Sequence, residues 1–261
     1  MRWWHRLREQ RALQRRRIPE ALWRSTLERY PFLQRREAAD ADRLQRLASL
    51  FLDRKEFFGA HGLVLSDEMT VAIAAQACLP ILRLPLGIDA YDGFVGIVVH
   101  HDEVQVRREF TDDDGVVHEY DDVLSGEAME GGPVMLSWHD VQKAGDAGLH
   151  GYNVVVHEFA HVLDMADRCA DGMPPLGSAA EREHWQMVLN ASFSRFCRRV
   201  DSGRPTLLDP YGADSPEEFF AVSSEAFFVA PADLRAEMPA WYGLLAAYYR
   251  QDPAADAGTS N

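Results

Sequence analysis

Apolar residues recur at helical spacing through most of the first 80 positions. A helix opening at Pro19 carries Leu22, Trp23 and Leu27 and stops before Pro31. Residues 40–58 place Leu44, Leu47, Leu50 and Phe51 on one face, which predicts a longer amphipathic helix ended by Gly59. Ser66 begins another helix, 67–79, ended by Pro80. The period then shortens. Residues 81–86 and 94–99 are short apolar runs of strand type, and 104–110 alternates. Residues 116–120 follow an Asp112-Asp113-Asp114-Gly115 turn, and 134–138 follow Gly131-Gly132-Pro133. Successive strands joined by turns predict hairpins, hence a small, mostly antiparallel sheet. Helical spacing returns in the segment 151–164, near 180–200, and from 216 to about 229. The pattern is α+β, with a helical N-terminal region.

There is no internal repeat and no long linker, and 261 residues can bury an ample core. The expected organisation is a basic extension over 1–17 and a single domain over 18–250. Within that domain 18–80 is helical, 81–140 forms the sheet and 150–250 holds the later helices. Residues 251–261 are small and polar, a tail expected to lack order.

Charge changes this picture at one end. The net charge is −14, yet residues 1–46 hold 13 Arg and no Lys against six acidic residues, a net of +7. The remaining 14 basic and 35 acidic residues leave −21. The first 17 residues mix Arg with Trp3, Trp4, Leu7 and Leu13. A solvated, frayed terminus is the default expectation for them. As a short amphipathic helix they would instead meet an anionic surface, or the acidic body itself. Direct nucleic-acid binding is not expected of so acidic a body. The three cysteines, Cys78, Cys169 and Cys197, are widely spaced and form no Cys-x-x-Cys pair. They indicate neither a disulfide framework nor a thiolate metal site. No apolar run reaches the length of a membrane span and the start lacks a secretory apolar stretch, so a cytoplasmic enzyme is expected.

The chemistry is concentrated in Gly151-Tyr152-Asn153-Val154-Val155-Val156-His157-Glu158-Phe159-Ala160-His161-Val162-Leu163-Asp164. Residues four apart share a helix face, so His157 and His161 can aim both imidazoles at one ion. Glu158 is rotated about 100° from His157 and can reach a metal-bound water as general base. With 10 His and 18 Glu in the chain, chance predicts roughly 0.03 such motifs. Two histidines in so apolar a segment also need partners. The simplest partner is a metal, and a catalytic zinc needs a third protein ligand plus an open position.

Three carboxylates compete for that role. Asp167 has the spacing of a metal ligand three residues beyond a glycine, but residue 164 is Asp, so no turn is signalled there. Glu181 stands on the polar start of a helix. Glu218 is favoured because the helix it opens is apolar nearly all round, and a carboxylate is seldom buried without a strong partner. Ser215, Pro216 and Glu218 also fit a capping box, which would explain the residue without a metal. Glu217 could compete for the same ion. Glu225, two turns further on, could accept the N–H of a ligating imidazole.

These residues resemble a known family. His157-Glu158-Phe159-Ala160-His161, Tyr211 and Pro216-x-Glu218-x-Phe220-Ala221-Val222 look like the Mlc titration factor A family of zinc peptidases. The Tyr211-to-Glu218 spacing also resembles the anthrax lethal factor catalytic domain. The likeness to the first family extends through Ile18-Pro19-Glu20-Ala21-Leu22-Trp23, Tyr30-Pro31-Phe32-Leu33 and Gly132-Pro133-Val134-Met135-Leu136-Ser137-Trp138. The Arg-rich start departs from it. The resemblance implies a zincin-like fold and one Zn²⁺ held by His157, His161 and Glu218, with Glu158 as base and Tyr211 helping to stabilise the transition state. It implies an aminopeptidase-like peptidase acting on a peptide or protein substrate. It also implies an alternative, a zinc-containing protein that sequesters a transcriptional repressor and regulates glucose-uptake genes. In either case the strand 134–138 could run along the cleft and pair with an extended peptide. The sequence leaves the oligomeric state open.

Overall fold

The computed structural model describes residues 2–34, 36–102, 104–111, 117–124, 126–128, 131–144 and 151–256, with backbone alone over 2–8, 104–111, 117–124, 126–127 and 256. The first half comprises α1 (Arg2–Arg15), α2 (Glu20–Arg29), α3 (Ala38–Arg54), β1 (Glu56–Gly59), α4 (Asp67–Ala77) and β2 (Gly96–His100). Strands β3 (Val104–Thr111), β4 (Val117–Leu124), β5 (Gly126–Ala128) and β6 (Val134–Ser137) follow. The rest is helical: α5 (Trp138–Lys143), α6 (Val154–Asp164), α7 (Ala179–Asp201), α8 (Pro216–Val229), α9 (Pro231–Glu237), α10 (Pro239–Tyr249) and α11 (Pro253–Asp256).

The mostly antiparallel sheet expected from the sequence is corrected. The main sheet has the order β1-β2-β6-β5, in which β1, β2 and β6 run parallel and only β5 is antiparallel to its neighbour. Parallel strands need crossovers. Helix α4 supplies the one between β1 and β2, and the excursion through β3–β5 supplies the other. The expected hairpin exists as β3–β4, but as a separate two-stranded sheet; its 112–115 turn lies outside the described residues. The run 81–86 is not a strand. Its backbone closes local turns, Leu82 N–H to Leu79 O and Leu84 N–H to Ile81 O, while Leu79, Ile81 and Leu82 are fully buried. Strand β6 is flanked by β2 and β5, so it has no free edge with which to pair a substrate; β1 and β5 are the edge strands, and β5 packs along α6.

Strand β1 was hidden inside the helix expected over 40–58. Helix α3 ends at Arg54 because Lys55 turns extended, at φ −108° and ψ 144°. The buried Lys55 ammonium donates to the carbonyls of Tyr91 and Phe94 and lies over the Phe94 ring. Three contacts on one cation redirect the chain, and Phe57 and Phe58 then pair with Ile97 and Val98. The N-terminal arm is helical rather than frayed: α1 packs on α3. At the other end α11 occupies part of the expected tail, and 257–261 lie outside the described residues. Among the described residues no helix is long and apolar enough to cross a membrane.

The core is organised about α6. Its Phe159 sits among Phe51, Tyr91 and Phe94, with ring centroids 5.5, 4.9 and 5.9 Å away. These rings come from α3 and the segment before β2, so the motif helix is wedged into the N-terminal half. Its other side packs on α8. Helix α8 carries Phe219 and Phe220 into a second aromatic cluster with Trp185, Trp241 and Tyr249.

Candidate metal centre

Asn153 starts α6 by accepting the Val156 N–H on its side-chain oxygen at 3.0 Å. This fixes the helix phase and therefore where His157 and His161 point. Their Nε2 atoms lie 3.2 Å apart. Helix α8 starts at the cap Ser215, whose hydroxyl accepts the Glu218 N–H at 3.3 Å. Only this half of the capping box is made. The Glu218 carboxylate turns instead to the two imidazoles, its Oε2 being 3.1 Å from His157 Nε2 and 3.4 Å from His161 Nε2.

These three distances test whether a metal fits. A tetrahedral ion with bonds of about 2.0–2.1 Å has ligand atoms about 3.3 Å apart. The observed triangle of 3.1, 3.2 and 3.4 Å matches that edge on all sides. Glu218 Oε2 is buried yet accepts no well-directed hydrogen bond, although two imidazoles stand beside it. His157, His161 and Glu218 could thus hold one ion, and they form the sole such group of three among the described residues. Asp167 and Glu181 lie elsewhere. Asp167 accepts the Cys169 N–H in an exposed turn, and at the start of α7 the Glu181 N–H donates to the Ser178 hydroxyl while its carboxylate accepts from that hydroxyl. Glu217 is outside the group.

Glu225 clamps the site from behind. Its Oε1 accepts the His157 Nδ1–H at 2.8 Å, and its Oε2 accepts the Asn153 N–H. One buried carboxylate therefore turns the His157 Nε2 lone pair toward Glu218 and anchors the helix start. The Asn153 link was not anticipated from the sequence. An Asn immediately before an apolar helical run signals its own side-chain cap, but a backbone N–H held by a distant carboxylate leaves no local signal.

Electrostatics separates the acids. Burial pushes the Glu158 carboxyl up to about 6, against the pull of both imidazoles, and its Oε2 has no hydrogen-bond partner. Burial would also raise Glu218, but His157 and His161 outweigh it and hold that carboxyl far below the usual range. Burial opposes the charged form of His157, yet Glu218 and Glu225 raise its pKa well above normal. Tyr211 lies in a short turn, Pro210–Ala213, where Asp209 accepts its N–H at 2.9 Å. The Tyr211 ring stands 6.3 Å from the His157 ring, inclined by 30°, and is 47% exposed.

The distance between α6 and α8 is set by a latch that the motifs do not reveal. Asp164, at the end of α6, accepts the Gly172 N–H at 2.9 Å. Gly172 has φ +75°, and a Cβ there would sit 2.4 Å from the Pro216 carbonyl oxygen. The Gly172 carbonyl in turn accepts the Trp185 indole N–H at 2.8 Å. Gly172→Ala is expected to push the start of α8 away from α6. The metal-free protein should lose about 1–3 kcal/mol in urea denaturation, and metal titration should show weaker binding. Unchanged stability and affinity would show that the latch sets nothing.

The family description that matches residues 2–250 is glucose-regulated metallo-peptidase M90. Proteins called Mlc titration factor A are similar in sequence. The one from Serratia proteamaculans is 36% identical over 90% of this chain and 88% of its own length; that from Yersinia pestis is 34% identical over 90% and 86%. A Synechocystis protein, slr2042, is 36% identical over 96% of this chain and 90% of its own length.

Proposed function

The chain belongs to the glucose-regulated metallo-peptidase M90 family, and on that premise we propose that it is a zinc-dependent peptidase, with His157, His161 and Glu218 as the metal ligands. The observation that carries this reading is the triangle of three ligand atoms spaced for one tetrahedral ion. Three protein ligands leave a position for solvent, whereas structural zinc sites are closed by four. Zinc bound there supplies Lewis acidity, lowering the pKa of a bound water toward about 7 and polarising a peptide carbonyl. Glu158 takes the proton of the attacking water and passes it to the leaving amine. Its burial and its unpartnered oxygen leave it free to do both. The Tyr211 hydroxyl donates to the oxyanion that develops on the substrate. Glu225 holds the His157 ring in register throughout. An extended substrate lies along the β5 edge beside α6.

The test is reconstitution. Chelation should abolish hydrolysis of a short peptide, and one equivalent of zinc should restore it. Hydrolysis that survives complete removal of metal would overturn the proposal. A free amino terminus should be preferred over an acetylated one if cleavage proceeds from that end, as the resemblance implies. The name of the Serratia and Yersinia relatives supports a second reading, in which the chain titrates a transcriptional repressor. The open coordination position and the poised base favour hydrolysis.

A further inference from the structure

Helix α1 has no part in the hydrolytic reading, and one of its faces is committed to the body. Ala12 is buried, Leu13 packs against the core, Arg15 pairs with Asp53 at 2.7 Å and Glu9 with Arg46 at 2.9 Å. Positions 9, 12 and 13 therefore face α3. At about 100° per residue, positions 3, 4 and 7 fall on the opposite side of the same helix. The sequence puts Trp3, Trp4 and Leu7 at those positions. Arg11 shares that stripe, is exposed, and has no ion pair among the described residues. Positions 6 and 8, both Arg, border it on either side. The helix positions opposite 9, 12 and 13 are thus occupied in the sequence by aromatic residues and arginines, the composition of a helix that rests in a membrane interface.

We infer that α1 docks the protein on an anionic lipid surface, its tryptophans at the level of the headgroups and its arginines on the phosphates. Charge supports this occupant. Through Arg17 the chain carries seven Arg against Glu9 alone, while residues 47–261 carry −21. Surface potentials fade over a Debye length of about 8 Å, so the arm is attracted while the acidic body is directed away. Each basic residue close to such a surface adds roughly a factor of five to binding. Helix α1 is too short to cross a bilayer, so the association is peripheral and reversible.

Flotation of the full chain with vesicles tests this. Phosphatidylcholine vesicles containing phosphatidylglycerol should bind the protein at low salt, vesicles of phosphatidylcholine alone should not, and high salt should release it. The pair Trp3→Ser and Trp4→Ser, and separately the pair Arg8→Glu and Arg11→Glu, should each weaken binding roughly tenfold or more while metal content stays at the wild-type level. Equal binding to neutral vesicles, or binding indifferent to both pairs of substitutions, would overturn the inference. So would displacement from the vesicles by an oligonucleotide that the tryptophan variant binds as well as the wild type does.

Discussion

Glu218→Ala is expected to leave a folded protein with almost no bound metal. Removing a partner that only orients a ligand typically lowers metal affinity about 10–100-fold; removing one of three direct ligands should exceed that range. The backbone N–H of Glu218 keeps its bond to Ser215, so α8 still starts in place. The loss also removes the one carboxylate that stands beside both His157 and His161. Metal analysis after dialysis is the measurement. Glu181→Ala is the matched control, because that residue only caps α7. If both variants retained a full equivalent of zinc, the third ligand would have to be sought elsewhere.

Glu158→Gln should do the reverse, keeping the metal and losing the chemistry. The amide has the shape of the carboxylate but cannot accept the proton of the attacking water. General-base catalysis contributes about 10²–10⁴ in rate, so kcat should fall by that factor while zinc content and unfolding midpoint hold. The same residue sets the acid limit of the wild type. Its carboxyl is raised to about 6 by burial, so the required ionised form is depleted as pH falls through that value. A cation alongside would shift the limit lower. Activity should decline about tenfold per pH unit below the limit, and an acid limb centred above pH 7 would contradict the assignment. Wild-type turnover in the Gln variant would remove Glu158 from the mechanism altogether.

How much of this was legible depends on how local each determinant is. The pairing of His157 with His161 follows from helical spacing alone, and Asn153 before an apolar run signals the helix start. Glu218 could be picked out because a carboxylate at the head of an apolar helix needs a partner. The sheet direction was not legible, because the strands that neighbour each other in space are separated by α4 and by the β3–β5 excursion. Strand β1 was not legible for a related reason. Lys55 leaves the helix to reach carbonyls 36 and 39 positions further on, and no pattern within 40–58 records that. Glu225 was suspected from burial, but its grip on the Asn153 amide depends on two helices meeting. The Asp164–Gly172–Pro216 latch depends on a third segment again.

Phe159, next to the proposed base, is held by rings from the N-terminal half, and the same helix leans on α8 from the other side. Neither half of the chain can come apart without disturbing the centre. Ligand binding that favours the native form by about 2.7 kcal/mol at a hundredfold excess over Kd would then be felt throughout the protein. Its melting temperature should climb with free zinc, and a cell short of the ion would hold a more fragile protein as well as a less active one.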